Sequence, residues 1–239
     1  PSPSESFDER QRLFDLPRSS WEDYNSTLIS KGGGVYKRSS KSISLTQHVQ
    51  KLLNTTRSAM PPNDLINALL KAKADLLWIG GIGTYVKGES ETHAEAGDKA
   101  NDTLRINGAE LNVRVVGEGG NLGMTQLGRI EFARQGGQLN TDFIDHAAGV
   151  DCSDHEVNIK ILLSDIVQAG ELTGSQRNKL LTSMTEEVSD HVLTNNYRQT
   201  QAISIAFHEG RQRIEEYRRL IDSLESEGKL DRQIEFIPS

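Results

Sequence analysis

The chain has 239 residues with 34 acidic and 27 basic side chains, a formal net charge of -7, and that surplus is repelled by phosphate backbones and anionic lipid, which argues against nucleic acid and membrane surfaces as partners. Cys152 is the single cysteine, so no internal disulfide can form and nothing points to an oxidising compartment. No apolar run reaches the roughly 18 residues of a membrane span, and the N-terminus lacks the apolar core of a signal peptide, so the expected setting is the cytoplasm.

The chain opens Pro-Ser-Pro-Ser without methionine, which reads either as a cut piece of something longer or as a boundary at a domain edge. Residues 1–60 are polar and irregular, a lead-in with short helices expected over Glu9–Leu16, ended by Pro17, and over Ser20–Ile29, with Ser20 and Asp23 as a capping box. Gly32-Gly33-Gly34 marks a turn, helical spacing returns from Leu45 to Leu53, and Met60-Pro61-Pro62 is a break. A regular pattern begins there and defines a second region, 61–170. Asn63 is the expected cap of a helix carrying Leu65, Ile66, Leu69 and Leu70. Ala74–Ile79 is a continuous apolar run between breakers and predicts a buried parallel strand. Glu91–Leu104 is expected to be helical, Leu111–Val116 a second strand, Thr125–Gln135 a helix with Leu127, Ile130 and Ala133 on one face, and Gln138–Asn140 a brief third strand. Alternating helix and strand is the grammar of a parallel α/β sheet.

Beyond Gly149 the pattern is all helical. Ser153 and Glu156 form an S-x-x-E capping box expected to open a helix that Gly170 stops, and Thr173 and Gln176 form a second. Leu180, Leu181, Met184, Val188 and Val192 follow at helical spacing. A third helix holds Ile203, Ala206, Ile214, Tyr217, Ile221 and Leu224, with an outer face rich in Arg and Glu that reads as a solvated amphipathic surface. Residues 171–239 form this helical C-terminal extension. The fold class is therefore α/β, a partial Rossmann-like parallel sheet with an α-helical extension.

Ligands of parallel sheets sit beyond the C-terminal strand ends, and two such ends are glycine-rich: Gly80-Gly81-Ile82-Gly83-Thr84-Tyr85 and Gly117-Glu118-Gly119-Gly120-Asn121-Leu122-Gly123. One such cluster is adequately explained as a tight turn; two at neighbouring strand ends favour a site. Gly117, Gly119 and Gly123 invite a dinucleotide fingerprint, but the strand before them is not the first of its unit, and the Glu118 carboxylate would repel a pyrophosphate. A third element, Ile144–Glu156, has small residues at Ala147, Ala148 and Gly149 leading toward a helix N-terminus, which attracts anions. Its two histidines, three aspartates and lone Cys152 match no standard zinc spacing, and no metal is expected. A Cys152–His155 nucleophile pair is outweighed by the plainer reading of Cys152 as a small packed residue.

These segments, in this order, resemble the glutamate dehydrogenases, above all the large bacterial NAD-dependent class. The likeness runs through Asp75–Tyr85, Val115–Thr125 and Asn140–Lys160, with support from Phe14–Trp21 and Ile29–Val35. The resemblance implies that Glu118-Gly119-Gly120-Asn121 lies along NAD near its nicotinamide ribose, and that His146, Ala147, Ala148 and Gly149 pack at the nicotinamide, with Gly81 and Gly83 completing the cofactor contacts. His146 stands where the family usually has asparagine, and Asp154 and His155 replace an aromatic pair of the shorter enzymes. Ser153 aligns with a serine that touches the substrate carboxylate. The implied parent reaction converts L-glutamate, NAD and water to 2-oxoglutarate, ammonia and NADH, in a homo-oligomer. The catalytic lysine and aspartate, the phosphate-binding glycine turn and the first two nucleotide-domain strands would lie before Pro1, so no catalytic residue is expected here and the isolated chain is expected to be inactive. Two rivals stand beside this reading: a self-contained NAD-binding oxidoreductase using the Gly117 loop as its phosphate turn, and a non-enzymatic helical assembly module.

Overall fold

The computed structural model describes residues 2–237. Helix α1 (Pro3–Asp15) starts well before the expected Glu9, because Ser2 and Glu5 close a reciprocal capping box around a proline in the first turn. The helix expected over Ser20–Ile29 does not form. The Ser20–Asp23 box is present, but it opens only a single 3-10 turn, Trp21–Asp23, and a second turn follows at Ser26–Leu28. The chain breaks between them because Asn25 caps the second turn with its side chain while its own N–H donates to Glu9 at 2.7 Å.

Strand β1 (Ile43–Ser44), helix α2 (Gln47–Leu52), strand β2 (Ala59–Met60) and helix α3 (Pro62–Leu70) build a small core of Ile43, Leu45, Met60 and Leu65, with β1 and β2 antiparallel. Helix α3 begins at Pro62, whose missing N–H costs nothing in a first turn. Asn63 is therefore inside the helix, not its cap, and its amide donates to Thr103 at 2.8 Å.

Strands β3 (Ala74–Ile79), β4 (Val86–Lys87), β5 (Ile106–Asn107) and β6 (Val113–Glu118) follow. β3 pairs with β6 in parallel, Ala74 opposite Val113 and Ile79 opposite Glu118, and β4 pairs in parallel with β5. The expected third strand is reduced to one parallel bridge, Val115 to Gln138. Helix α4 (Gln126–Arg134), capped by Thr125, packs over a core of Ile79, Val86, Ile106, Leu111, Val116, Met124 and Phe132. It buries Gly128, Arg129 and Phe132, while Ala133 faces solvent. The face is set by Gly128, where a Cβ would stand 2.9 Å from the Lys87 carbonyl carbon, so this side of the helix approaches β4 backbone to backbone.

Two further expected features, a helix and a buried face on β3, do not form. Glu91–Leu104 is a run of turns with one 3-10 turn at Lys99–Asn101. Buried Arg105 donates to the carbonyls of Thr84 and Asp98 and to Asp102, while the Asp98 carboxylate accepts the Thr84 backbone N–H at 2.8 Å and the Asn101 side-chain amide at 2.6 Å. Side chains that take up backbone groups in this way compete with the helical ladder. Strand β3, expected to be buried, exposes Leu76 and Trp78, because nothing among the described residues covers that face or the outer edge of the strand.

The rest is helical: α5 (Asp142–Asp145), α6 (Ala147–Gln168), α7 (Gly174–Ser183) and α8 (Thr185–Ser226). The Ser153–Glu156 box does not open a helix. α6 already runs from Ala147, and the Ser153 hydroxyl donates back to the Gly149 carbonyl at 3.1 Å, the bond a serine makes inside a helix. Gly170, at φ +78°, follows its end, and the Thr173–Gln176 box opens α7 as expected. Met184 separates α7 from α8, and the expected third helix is continuous with α8 apart from non-helical Arg213. Asn195 and Asn196 tie α8 to Asp151 and to the Ile144 carbonyl, both at 2.9 Å. The architecture is mixed α/β, with two-stranded parallel pairs and a helical extension.

Candidate functional site

The two glycine loops leave the C-terminal ends of adjacent strands and interlock. The Gly119 N–H donates to the Ile79 carbonyl at 2.9 Å, and a Cβ on Gly120 would stand 2.6 Å from the Gly81 carbonyl oxygen. Thr84 donates to the Leu122 carbonyl at 2.7 Å, and the Tyr85 N–H to the Gly123 carbonyl at 2.9 Å. Gly83 needs its glycine twice over, with φ at +134° and Asn101 against the place a Cβ would take. Gly81 meets nothing at its would-be Cβ, which makes it the glycine of this pair of loops most open to an approaching ligand.

Beneath the loops lies a buried ion network. Glu118 closes β6 with no accessible surface and accepts from Arg129 Nε at 2.7 Å and Nη2 at 2.9 Å. Arg129 Nη2 also reaches Asp142 at 2.9 Å. Burial works against the Arg129 charge, yet the hydrogen bonds to Glu118 and the charges of Glu118, Asp142 and Asp145 prevail, and its pKa is raised. The carboxylates of α5 then hold the loop by its backbone: Asp145 accepts the Glu118 N–H at 3.0 Å and Asp142 the Leu122 N–H at 2.8 Å. That second bond secures Leu122 at φ +57°, a left-handed conformation unfavourable for a branched side chain.

Glu118 is thus turned inward, so among the expected cofactor contacts it offers a ligand no carboxylate; it shapes the turn through Arg129 and through the Met124 N–H, which donates to it at 3.1 Å. Asn121 sits exposed on the loop with no side-chain hydrogen bond among the described residues. His146 is the hinge between α5 and α6, its ring lying against Gly149, where a Cβ would stand 2.8 Å from Nε2. Ala147 and Ala148, half-buried, form the first turn of α6. The α5 carboxylates therefore bring His146–Gly149 toward the Glu118–Leu122 loop. Ser153 is not part of this cluster: it lies exposed on α6, roughly 9 Å along the axis from Ala147 at 1.5 Å per residue.

The sequence reading missed Arg129, Asp142 and Asp145, whose importance is to hold other groups. The sequence carried only a partial signal: Arg129 stands three residues before Phe132 in the middle of α4, and an arginine buried there requires carboxylates, but the apolar spacing pointed to Leu127, Ile130 and Ala133 as the packed face. Among the described residues no three His, Cys, Asp or Glu side chains converge on a metal-sized position, Cys152 is exposed, and no helix is long and apolar enough to cross a membrane.

Residues 1–206 match the family model described as the catalytic domain of bacterial NAD-glutamate dehydrogenase. The chain is 61% identical over 239 residues to an NAD-specific glutamate dehydrogenase of Pseudomonas aeruginosa and 60% identical over 239 residues to one of Halomonas elongata. A Mycobacterium tuberculosis protein of the same name is 46% identical over 245 residues. Each match covers 100% of this chain and 15% of the relative. The matched residues 1–206 include both glycine loops and the Asp142–Gly149 hinge, and the chain belongs to the bacterial NAD-glutamate dehydrogenase catalytic-domain family.

Proposed function

We propose that this chain supplies the nicotinamide side of the cofactor site in an NAD-dependent glutamate dehydrogenase, on a Rossmann-like frame. The enzyme would convert L-glutamate, NAD and water to 2-oxoglutarate, ammonia and NADH. The observation that carries the reading is that Gly80–Gly83 and Glu118–Leu122 interlock at the ends of β3 and β6, while Asp142 and Asp145 hold the second loop against α5, which leads directly into His146–Gly149. Their chemistry fits a nicotinamide and its ribose. Gly81 leaves room for close approach, Asn121 presents an unengaged carboxamide, and His146 presents an imidazole with no side-chain hydrogen bond among the described residues, both able to donate and accept. NAD, when bound, accepts the hydride. The residues of this chain position it, and Arg129 keeps the Glu118 charge neutralised next to a site that must accommodate an anionic dinucleotide.

This division of labour leaves the isolated chain without a proton-transfer group in place, so pure chain is expected to show no glutamate-dependent NADH formation and only weak NADH binding. A titration following energy transfer from Trp21 and Trp78 to NADH tests this. Tight saturable binding would mean that a complete nucleotide site is present here and would overturn the shared-site reading in favour of the self-contained one.

A further inference from the structure

The glycines of the two loops do not all serve the same end. Trp78 and Gly117 are register partners across β3 and β6, so the indole lies on the same face as the side chain that Gly117 lacks. A Cβ on Gly117 would stand 2.8 Å from the indole Cε3, one on Gly80 would stand 3.1 Å from Nε1, and one on Gly119 would press closest of the three, against Cζ2. The ring therefore rests flat on backbone from both loops. Its other face is open, and the residue is 60% exposed. Among the described residues the indole is packed on these three glycines rather than in a core.

We infer that Trp78 is a positioning residue for the cofactor loop, and that Gly117 and Gly119 are glycines because of the indole rather than because of a ligand. The inference rests on the functional reading above. The ring fixes the path of the chain from Gly117 through Gly119, and that path sets where Gly120 meets Gly81 and where Asn121 emerges. Gly81, with nothing near its Cβ position, and Gly120, packed on the Gly81 carbonyl, belong to the other group, which leaves Gly81 open for the ligand.

A double-mutant cycle in the full-length protein tests this. Trp78→Ala and Gly119→Ala are each expected to raise the KM for NAD about tenfold with kcat little changed, because a loop misplaced by an ångström or less weakens positioning. Trp78→Phe, which retains a flat ring, should recover most of the loss. The double variant should be no worse than Trp78→Ala alone, since removing the ring removes the clash at position 119. If Gly119→Ala instead costs as much without the indole as with it, the glycine serves the ligand and the inference falls. Trp78→Leu serves as a second probe should the alanine variant fold poorly; an unchanged KM in it also overturns the proposal. Hydrogen exchange at the Gly119 amide, which donates to Ile79, separates this inference from the reading it rests on. If the full-length wild type does not bind NADH, the cofactor reading fails, yet faster exchange at Gly119 in the Trp78 variants would still support loop positioning, and unchanged exchange would refute it.

Discussion

At the scale of single residues, stability at the site turns on one cation. Arg129 satisfies Glu118 through two hydrogen bonds and forms an ion pair with Asp142 at 2.9 Å. Replacing it with Met keeps the volume of the stem but leaves Glu118, which has no solvent access, as a charge without its cation. Breaking a buried pair from one side costs about 3–5 kcal/mol. Arg129→Met should therefore lower the urea midpoint sharply, while the paired change Arg129→Met with Glu118→Gln should recover much of the loss, since a neutral amide is far cheaper to bury. Equal midpoints for wild type and Arg129→Met would show that the network contributes nothing to folding. The same arginine illustrates what a linear reading misses. Its partners Glu118 and Asp142 lie 11 positions before it and in a different helix, and no local pattern announces that they meet.

At the scale of elements, signals that depend on neighbours in sequence survived and those that depend on the rest of the molecule did not. Thr173 and Gln176 cap α7 because nothing precedes them but a turn, whereas Ser153 and Glu156, an equally good box, lie inside a helix that had already nucleated at Ala147. Strands β3 and β6 were legible from apolar runs, while the two-residue strands β1, β2, β4 and β5 were too short to leave such a run; the burial of β3 was not legible either, because burial depends on what covers a face. At the site, the two glycine loops could be read from composition, while the division of their glycines between indole, loop contact and open space could not. The N-terminal element carries its own test. Glu9 accepts from Arg12 and from the Asn25 N–H, and these bonds, the Arg12 one foremost, lower its pKa to about 2. A lowered folded-state value means that the stabilisation is complete above the ordinary value of 4.5 and is lost as pH falls through about 2. Protection of the Asn25 amide against hydrogen exchange, corrected for intrinsic rate, should hold from neutral pH down to 4.5 and then decline. Glu9→Gln should lack the protection at every pH, and a pH-independent wild-type profile would exclude the carboxylate as the tie between α1 and the turns that follow it.

At the scale of the whole molecule, the uncovered face of the β3–β6 pair is the largest departure from what a parallel sheet requires. Such sheets are covered on both faces, yet Leu76, Trp78 and Val115 stand exposed, and β3 pairs on one side only among the described residues. An open apolar strand edge is a template for another chain. The net charge of -7 opposes association only over about a Debye length, roughly 8 Å at physiological salt, and so does not protect a face once two copies touch. The isolated chain is expected to self-associate through this face, with a light-scattering mass above that of one chain and rising with concentration. Leu76→Lys and Val115→Lys should each shift it toward monomer. Phe207→Ser, far along α8 and 89% exposed, is the control: if it dissolves the assembly and the strand variants do not, the long helix and not the sheet is the adhesive surface. A monomer at every concentration would mean that three exposed apolar side chains and a bare edge are tolerated in water. In full-length relatives, of which this segment is 15% of the length, the same lysine changes should instead impair folding, because there other parts of the protein are available to cover the face.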